Sequence, residues 1–240
     1  METHVVILGE MHGTIEGTAF VESLVCSVLA EGKPVRLGLE AVANHSDSLN
    51  TLTQNSFSRD AVYAAAPTMW DSHDGRSSEA EYKLLEQIAD WRLAGHAVDL
   101  FAFDRPYGRN IGLSRSEFMA KAVDEALADY DGTVLVYTGG AHSTLTREDL
   151  TPKRGSMANL VTERPVISLD MVYDAGEAYV QASVDGGDLM VGPLSLQGTN
   201  SYGLQPWSLS LEPLGVHYTG YYYVGPITAS PPAFPADSEP

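Results

Sequence analysis

The chain has 240 residues, 44% of them hydrophobic, and carries 14 basic against 32 acidic side chains, a formal net charge of −18. That length suits one α/β domain with an appendage or two small domains, and the apolar content excludes a wholly disordered chain. The charge repels phosphate backbones and anionic membrane surfaces, so no nucleic-acid partner is expected, and no apolar run approaches the roughly 20 residues of a membrane span.

Residues 1–4 carry no basic, apolar secretory leader. The sequence as written reads as cytoplasmic, or as periplasmic or secreted if a leader has been removed. Residues 4–10 form a buried strand. A helix over 15–30 follows, with Phe20, Val21, Leu24, Val25, Val28 and Leu29 as its apolar stripe and Gly32 at its C′ position. Its Cys26 is the only cysteine, so no internal disulfide forms. Residues 35–41 form the second strand. Short helices are expected around 46–54 and 59–65. Ser78 and Glu81 make a capping box that opens a helix to about residue 94, with Leu84, Leu85, Ile88 and Trp91 inward and Gly95 ending it. Residues 97–104 are the third strand. Ser114 and Glu117 repeat the capping signature for a helix to about residue 130, and 133–138 are the fourth strand. Three strand–helix–strand units in sequence predict an α/β fold with a mostly parallel sheet flanked by helices.

The composition changes near residue 165. Beyond Arg164 there are eight acids and no Lys or Arg, with nine of the thirteen prolines and seven of the twelve tyrosines. Segments 165–173, 178–184, 189–196, 207–211 and 217–224 are strand-like and separated by Gly, Pro, Asp and Asn, which predicts antiparallel β structure. The expected organisation is an α/β core over 1–164, a β-rich extension over 165–229 and a disordered tail over 230–240.

Each predicted parallel strand ends in reactive residues: Gly9-Glu10-Met11-His12-Gly13-Thr14, then Gly38-Leu39-Glu40, then Asp104-Arg105, then Thr138-Gly139-Gly140-Ala141-His142-Ser143. In an open parallel sheet all these ends share one edge, so Glu10, His12, Glu40, Asp104 and His142 should meet in one crevice. Their ordinary alternative is helix capping and loop hydrogen bonding, which explains one such residue better than five. Two imidazoles with carboxylates suit a divalent cation, and equally suit metal-free removal of a proton from water. Gly9, Gly13, Gly139 and Gly140 let the backbone approach a ligand, or simply make tight turns. Arg76, in the irregular stretch before a helix, is a candidate for holding a carboxylate or a transition-state oxygen. His73, between Asp71 and Asp74, is a candidate rim ligand or a solvated loop residue. Asp104 is expected to orient His12 or His142, and Arg105 to pair with Glu40. Tyr107 is a candidate contact for substrate or haem. The tyrosines at 218 and 221–223 form a face for a ligand, for a homodimer or for ordinary β packing. His45, His96 and His217 read as structural or surface residues.

The segment Leu8-Gly9-Glu10-Met11-His12-Gly13-Thr14 resembles the first motif, Gly-Glu-x-His-Gly, of the erythromycin esterase / ChaN / TIKI / TraB superfamily. Residues 138–143 resemble its last motif, a Gly-x-x-His after a strand, and Glu40 matches the acidic position between them. The resemblance covers about residues 4–145. It implies a helix-flanked sheet with a pocket at the strand ends. It also implies a range of activities: lactone hydrolysis in erythromycin esterase-like members, metal-dependent proteolysis in TIKI-like members, and haem binding linked to iron uptake in ChaN-like members. Gly140 stands where many members carry Asn, and the chain is shorter than the esterase-like members and closer in size to the ChaN-like ones. The expected function is therefore a hydrolase that attacks an ester, lactone or amide carbonyl of a small molecule or peptide. His12 would act as general base, oriented by Glu10 or Glu40, and His142 would position water or stabilise the oxyanion. In the metal-dependent version Glu10, His12, Glu40 and His142 hold Mn, Co or Zn. The alternative is a non-catalytic haem-binding protein in which Tyr107 or His73 ligates iron and a homodimer sandwiches the cofactor; a degenerate, inactive domain is a third.

Overall fold

The computed structural model describes residues 4–55, 57–106, 108, 112–145, 155–183, 189–199, 203–212 and 215–234. Strand and helix alternate as far as residue 143: β1 (Val5–Glu10), α1 (Ile15–Ala30), β2 (Val35–Val42), α2 (Ser46–Asn55), α3 (Arg59–Ala65), α4 (Pro67–Trp70), α5 (Glu79–Leu93), β3 (Val98–Asp104), α6 (Arg115–Leu127), β4 (Thr133–Gly139) and the one-turn α7 (Gly140–Ser143). A second short helix, α8 (Met157–Leu160), precedes β5 (Val166–Val172), β6 (Gly176–Ser183), β7 (Leu189–Leu196), β8 (Ser208–Ser210) and β9 (Gly220–Tyr223).

A seven-stranded sheet runs in the order β3-β2-β4-β1-β5-β9-β8, and β6 pairs with β7 in a separate two-stranded arm. The first six strands in that order are parallel, and β8 is antiparallel to β9. Side chains alternate between the faces of a strand. In β1 and β4, Leu8, Leu135 and Tyr137 therefore join the cluster under α1, α2 and α5, while Val5, Ile7, Val134 and Val136 join the cluster under α6 and α8. With both faces covered, the strands read as near-continuous apolar runs. The fold is α/β, as the strand–helix alternation implies. The β-rich part divides: β5 and β9 extend the main sheet in parallel, while β8 and the β6–β7 arm supply the antiparallel pairing.

Sequence punctuation sets the helix ends. Phe20, Val21, Val25 and Leu29 of α1 are buried, and Gly32 closes it at φ 73°. The full capping box appears on α6, where the Ser114 side chain accepts from the Glu117 backbone and the Glu117 side chain accepts from the backbone of Ser114. On α5 only half of it forms. Ser78 accepts from the Glu81 backbone, but its own backbone bridges to Pro232, and the Glu81 side chain turns inward and is buried. Residues 230–234, expected in the disordered tail, are ordered on the core, and the rest of that tail lies outside the described residues. Glu79 N–H donates to Pro231 O at 2.7 Å, Ala233 N–H to Ser77 O at 2.9 Å, and Phe234 packs on Trp70 with ring centroids 5.1 Å apart.

Candidate functional site

The parallel register brings the strand ends together. Glu10 is level with Gly139 across β1 and β4, and Leu39, beside Glu40, pairs with Tyr137. The result is a cavity of about 320 Å³, open to solvent, lined by Glu10, His12, Glu40, Arg76 and His142 together with Asp74, Arg115, Met11, the 139–141 backbone and Val180–Gln181 of β6. Asp104 lies beneath it, 2% exposed.

Glu40 is the hub. Its Oε2 accepts from the Thr138 hydroxyl at 2.6 Å and the Gly139 N–H at 2.8 Å, and its Oε1 accepts from Arg115 Nη2 at 2.6 Å and Arg76 Nη1 at 3.2 Å. The carboxylate also stands between two imidazoles, 3.8 Å from His12 Nε2 and 3.9 Å from His142 Nε2. Burial favours its neutral form, but His12, His142, Arg76 and Arg115 hold the carboxyl well below the ordinary carboxylate range. Asp104 braces the same two arginines. Arg115 Nε and Nη2 grip its two oxygens at 2.8 Å each, and Arg76 Nη1 reaches it at 3.1 Å. Asp74 takes the rest of Arg76, through Nε and a very short contact to Nη2.

The two histidines differ. His12 Nδ1 lies 2.7 Å from Glu10 Oε1, and the ring is packed over Gly139, where a Cβ would stand 2.7 Å from Nε2. Burial lowers its proton affinity, but the Glu10 charge and hydrogen bond, with Glu40 behind, raise its pKa from 6.5 to about 9. His12 is an imidazolium at neutral pH. His142, on α7, has no such partner. Burial comes first there and, with Arg115 and His12 adding to it, outweighs Glu40 and Asp104, so its pKa lies below 6.5. His142 is the neutral ring. Glu81, on the first turn of α5, is pushed well above the ordinary carboxylate range by burial and then by Glu10.

The five strand-end residues and Arg76 thus meet in one place. Asp104 holds guanidinium groups rather than an imidazole. Arg105 does not pair with Glu40: its Nη1 donates to Leu113 O at 3.2 Å, and Arg115 takes the expected place. Sequence reading missed Arg115, although the Ser114 cap, which fixes the first turn of α6 just after β3, was its signal. His73 adopts φ 47° and lines none of the cavity. Tyr107 lies outside the described residues. Of the tyrosines, Tyr222 hydroxyl donates to Gly9 O at 2.7 Å, Tyr218 hydroxyl to Gly140 O at 3.3 Å and Tyr223 hydroxyl to the Asp174 carboxylate at 2.9 Å.

The residues do not fit the divalent metal. Both Glu40 oxygens are already taken by two guanidinium groups, a hydroxyl and an N–H. Among the described residues no group of three or more His, Cys, Asp or Glu is placed to hold an ion. The floor of the pocket is a mesh of ion pairs.

A helix-flanked parallel sheet with its ionisable groups gathered at the strand ends defines an α/β domain with a candidate site at one sheet edge. Solved structures carry the same fold. A protein from Bacillus cereus aligns over 98% of this chain and 91% of its own, at 12% identity and a TM-score of 0.62. A succinoglycan biosynthesis protein aligns over 95% and 89%, at 10% identity and 0.62. The erythromycin esterase EreC in its open conformation aligns over 82% and 76%, at 11% identity and 0.57. No family model matches the sequence, and no curated protein is similar to it. Among the described residues no helix is long and apolar enough to cross a membrane.

Proposed function

We propose that the chain is a metal-free hydrolase that adds water to an ester, lactone or amide carbonyl. The observation that carries this reading is the Glu40 carboxylate held between two imidazoles, 3.8 and 3.9 Å away, whose proton affinities are displaced in opposite directions. Groups pushed apart in this way divide the acid and base roles between them. The neutral His142 takes a proton from water on Nε2, and the hydroxide attacks the carbonyl carbon. His12, charged and fixed by Glu10, faces the developing oxyanion and gives its Nε2 proton to the leaving group. This exchanges the roles expected from sequence, where His12 was the base. Arg115 adds a donor, because its Nε and Nη2 are spent on Asp104 and Glu40 while its Nη1 has no protein partner among the described residues. Bulk water restores both protonation states. The esterase activity of a protein that shares the fold is consistent with this reaction class.

The test is the pH dependence of kcat/KM on 4-nitrophenyl acetate and simple lactones. Activity should rise through a pKa below 6.5, stay level, and fall through about 9 as His12 loses its proton. His142→Ala should lower kcat by roughly 10² to 10⁴-fold. A rate that instead rises through about 9 makes His12 the base and overturns the assignment.

A further inference from the structure

The first N–H groups of a helix have no acceptor inside it. On α5 the local cap supplies one, Ser78 Oγ, to the Glu81 N–H at 3.3 Å. Two more come from the far end of the chain. Pro231 O takes the Glu79 N–H at 2.7 Å, and Ser230 Oγ takes the Ala80 N–H at 2.9 Å. Next to Arg76 in sequence, Ser77 O accepts from the Ala233 N–H at 2.9 Å. Segment 230–233 therefore borders the loop that carries Arg76. The residues just before it border the loop that carries His12. Ile15 N–H donates to Thr228 O at 3.0 Å, Ala229 bridges Thr14, and the Ser230 N–H donates to Gly13 O at 2.8 Å. Gly13 O also accepts from the Tyr179 N–H of the β6–β7 arm at 2.9 Å, which occupies both of its lone pairs. The two loops are in contact with each other: a Cβ on Gly75, at φ 94°, would stand 2.9 Å from His12 Cβ and 2.8 Å from the Gly13 nitrogen. Ser230, 1% exposed, is where the two sets of bonds meet. Its main chain holds one loop and its side chain holds the helix turn that follows the other.

We propose that Ser230 is a positioning residue, which ties the His12 loop to the Arg76 loop and so fixes how far Arg76 stands from His12 and Glu40. Arg76 acts in two ways that depend on that distance. Its Nη1 donates to Glu40 at 3.2 Å and to Asp104 at 3.1 Å. Its charge also opposes the proton on His12, which burial disfavours and which Glu10 and Glu40 favour. Without the Ser230 hydroxyl, the Ala80 N–H at the start of α5 loses its acceptor, and the Arg76 loop is free to draw back. The imidazolium is then less opposed and keeps its proton to higher pH. Ser230 lines none of the cavity, so it acts only through the loops it joins. The effect on rate rests on the hydrolytic reading; the tie between the loops is a property of the folded chain without turnover.

The experiment follows the His12 imidazole C–H resonance by NMR titration of the full chain, with kcat and KM on 4-nitrophenyl acetate measured alongside, in wild type and Ser230→Ala. The His12 titration should move upward by about 0.3–0.5 pH units, the effect of drawing a nearby charge back by roughly 1 Å. The kcat should fall roughly ten- to hundredfold, as misplacement on that scale does, with KM nearly unchanged. In an Arg76→Ala background, Ser230→Ala should move the titration no further, because the two changes act through one group. Leu29→Ala, at the far end of α1, is the stability control: it should lower Tm and leave both the titration and kcat in place. An unmoved titration in Ser230→Ala overturns the tie. So does an equal movement in the Arg76→Ala background or in Leu29→Ala. A moved titration with a level kcat overturns the effect on rate. A moved titration in a chain that hydrolyses no ester upholds the tie and overturns the hydrolytic reading, and hydrolysis with an unmoved titration does the reverse.

Discussion

Replacing Glu10 with Gln keeps the shape of the Glu10–His12 pair and removes its charge. Both side chains are mostly covered, 7% and 22% exposed, so solvent screens the 2.7 Å contact weakly. His12 rises from 6.5 to about 9, roughly 2.5 pKa units, which is about 3 kcal/mol of preference for the imidazolium. Because the folded protein binds this proton more tightly than the unfolded chain, the stabilisation is complete below 6.5 and is lost as pH climbs through about 9. Wild type should therefore lose about 3 kcal/mol of unfolding free energy across that window, with other groups adding their own slopes. Glu10 opposes the burial penalty more strongly than Glu40 does, so Glu10→Gln should lower the His12 pKa by more than about one unit and leave less than half of that slope. Imidazole C–H resonances followed by NMR titration, with urea unfolding at both ends of the window, read both quantities. A wild-type His12 that titrates at or below 6.5, or a slope that Glu10→Gln leaves intact, refutes the reasoning and the acid role built on it.

Glu40→Gln leaves Arg115 with Asp104 and Arg76 with Asp104 and Asp74, and should cost about 3 kcal/mol, the lower end for breaking a buried ion pair, or a fall of roughly 6–12 °C in Tm. Its carboxyl is depressed in the folded state, so this stabilisation is full above the ordinary Glu pKa and disappears as pH falls through the folded value; a thermal melt that moves by less than about 2 °C counts against the hub. Gly13→Ala sets a methyl group against the Tyr179 carbonyl at φ 68° and should cost about 1–3 kcal/mol while loosening the arm. Hydrogen exchange at the Tyr179 amide should then quicken, and an unchanged rate shows that the arm is not held there.

What the sequence made legible follows from how local the signals are. Apolar runs ending in Glu10, Glu40, Asp104 and the 138–143 segment specify strands, and parallel connection through helices forces their ends to one edge, so the cluster can be read without seeing the sheet. Partner choice is not local in this way. Arg105 adjoins Asp104 in sequence and was the natural mate for Glu40, yet its side chain reaches Leu113, while Arg115, on the next helix, takes Glu40. Alternation in 165–173 and 217–224 marks strands but not neighbours, and β5 finds a parallel place beside β1 and β9 beside β5. The paired capping signatures make the same point. Ser114–Glu117 closes on itself because, among the described residues, nothing competes for the Ser114 backbone, whereas Pro232, far along the chain, takes the Ser78 backbone and Glu81 turns inward.

The position of β1 has a kinetic consequence. It is the first strand in sequence yet lies at the centre of the sheet, and its two neighbours begin at Thr133 and Val166. Contacts so distant along the chain close slowly, because the intervening loop loses its freedom before any pairing repays the loss. During synthesis β1 must wait, apolar and unpaired on both edges, while β2 and β3 can already zip together. His12 meets His142 only once β4 has inserted between β2 and β1, so the strand-end cluster should be among the last features the chain assembles as it folds. A nascent chain halted before that insertion would expose its most aggregation-prone strand with the reactive centre unmade.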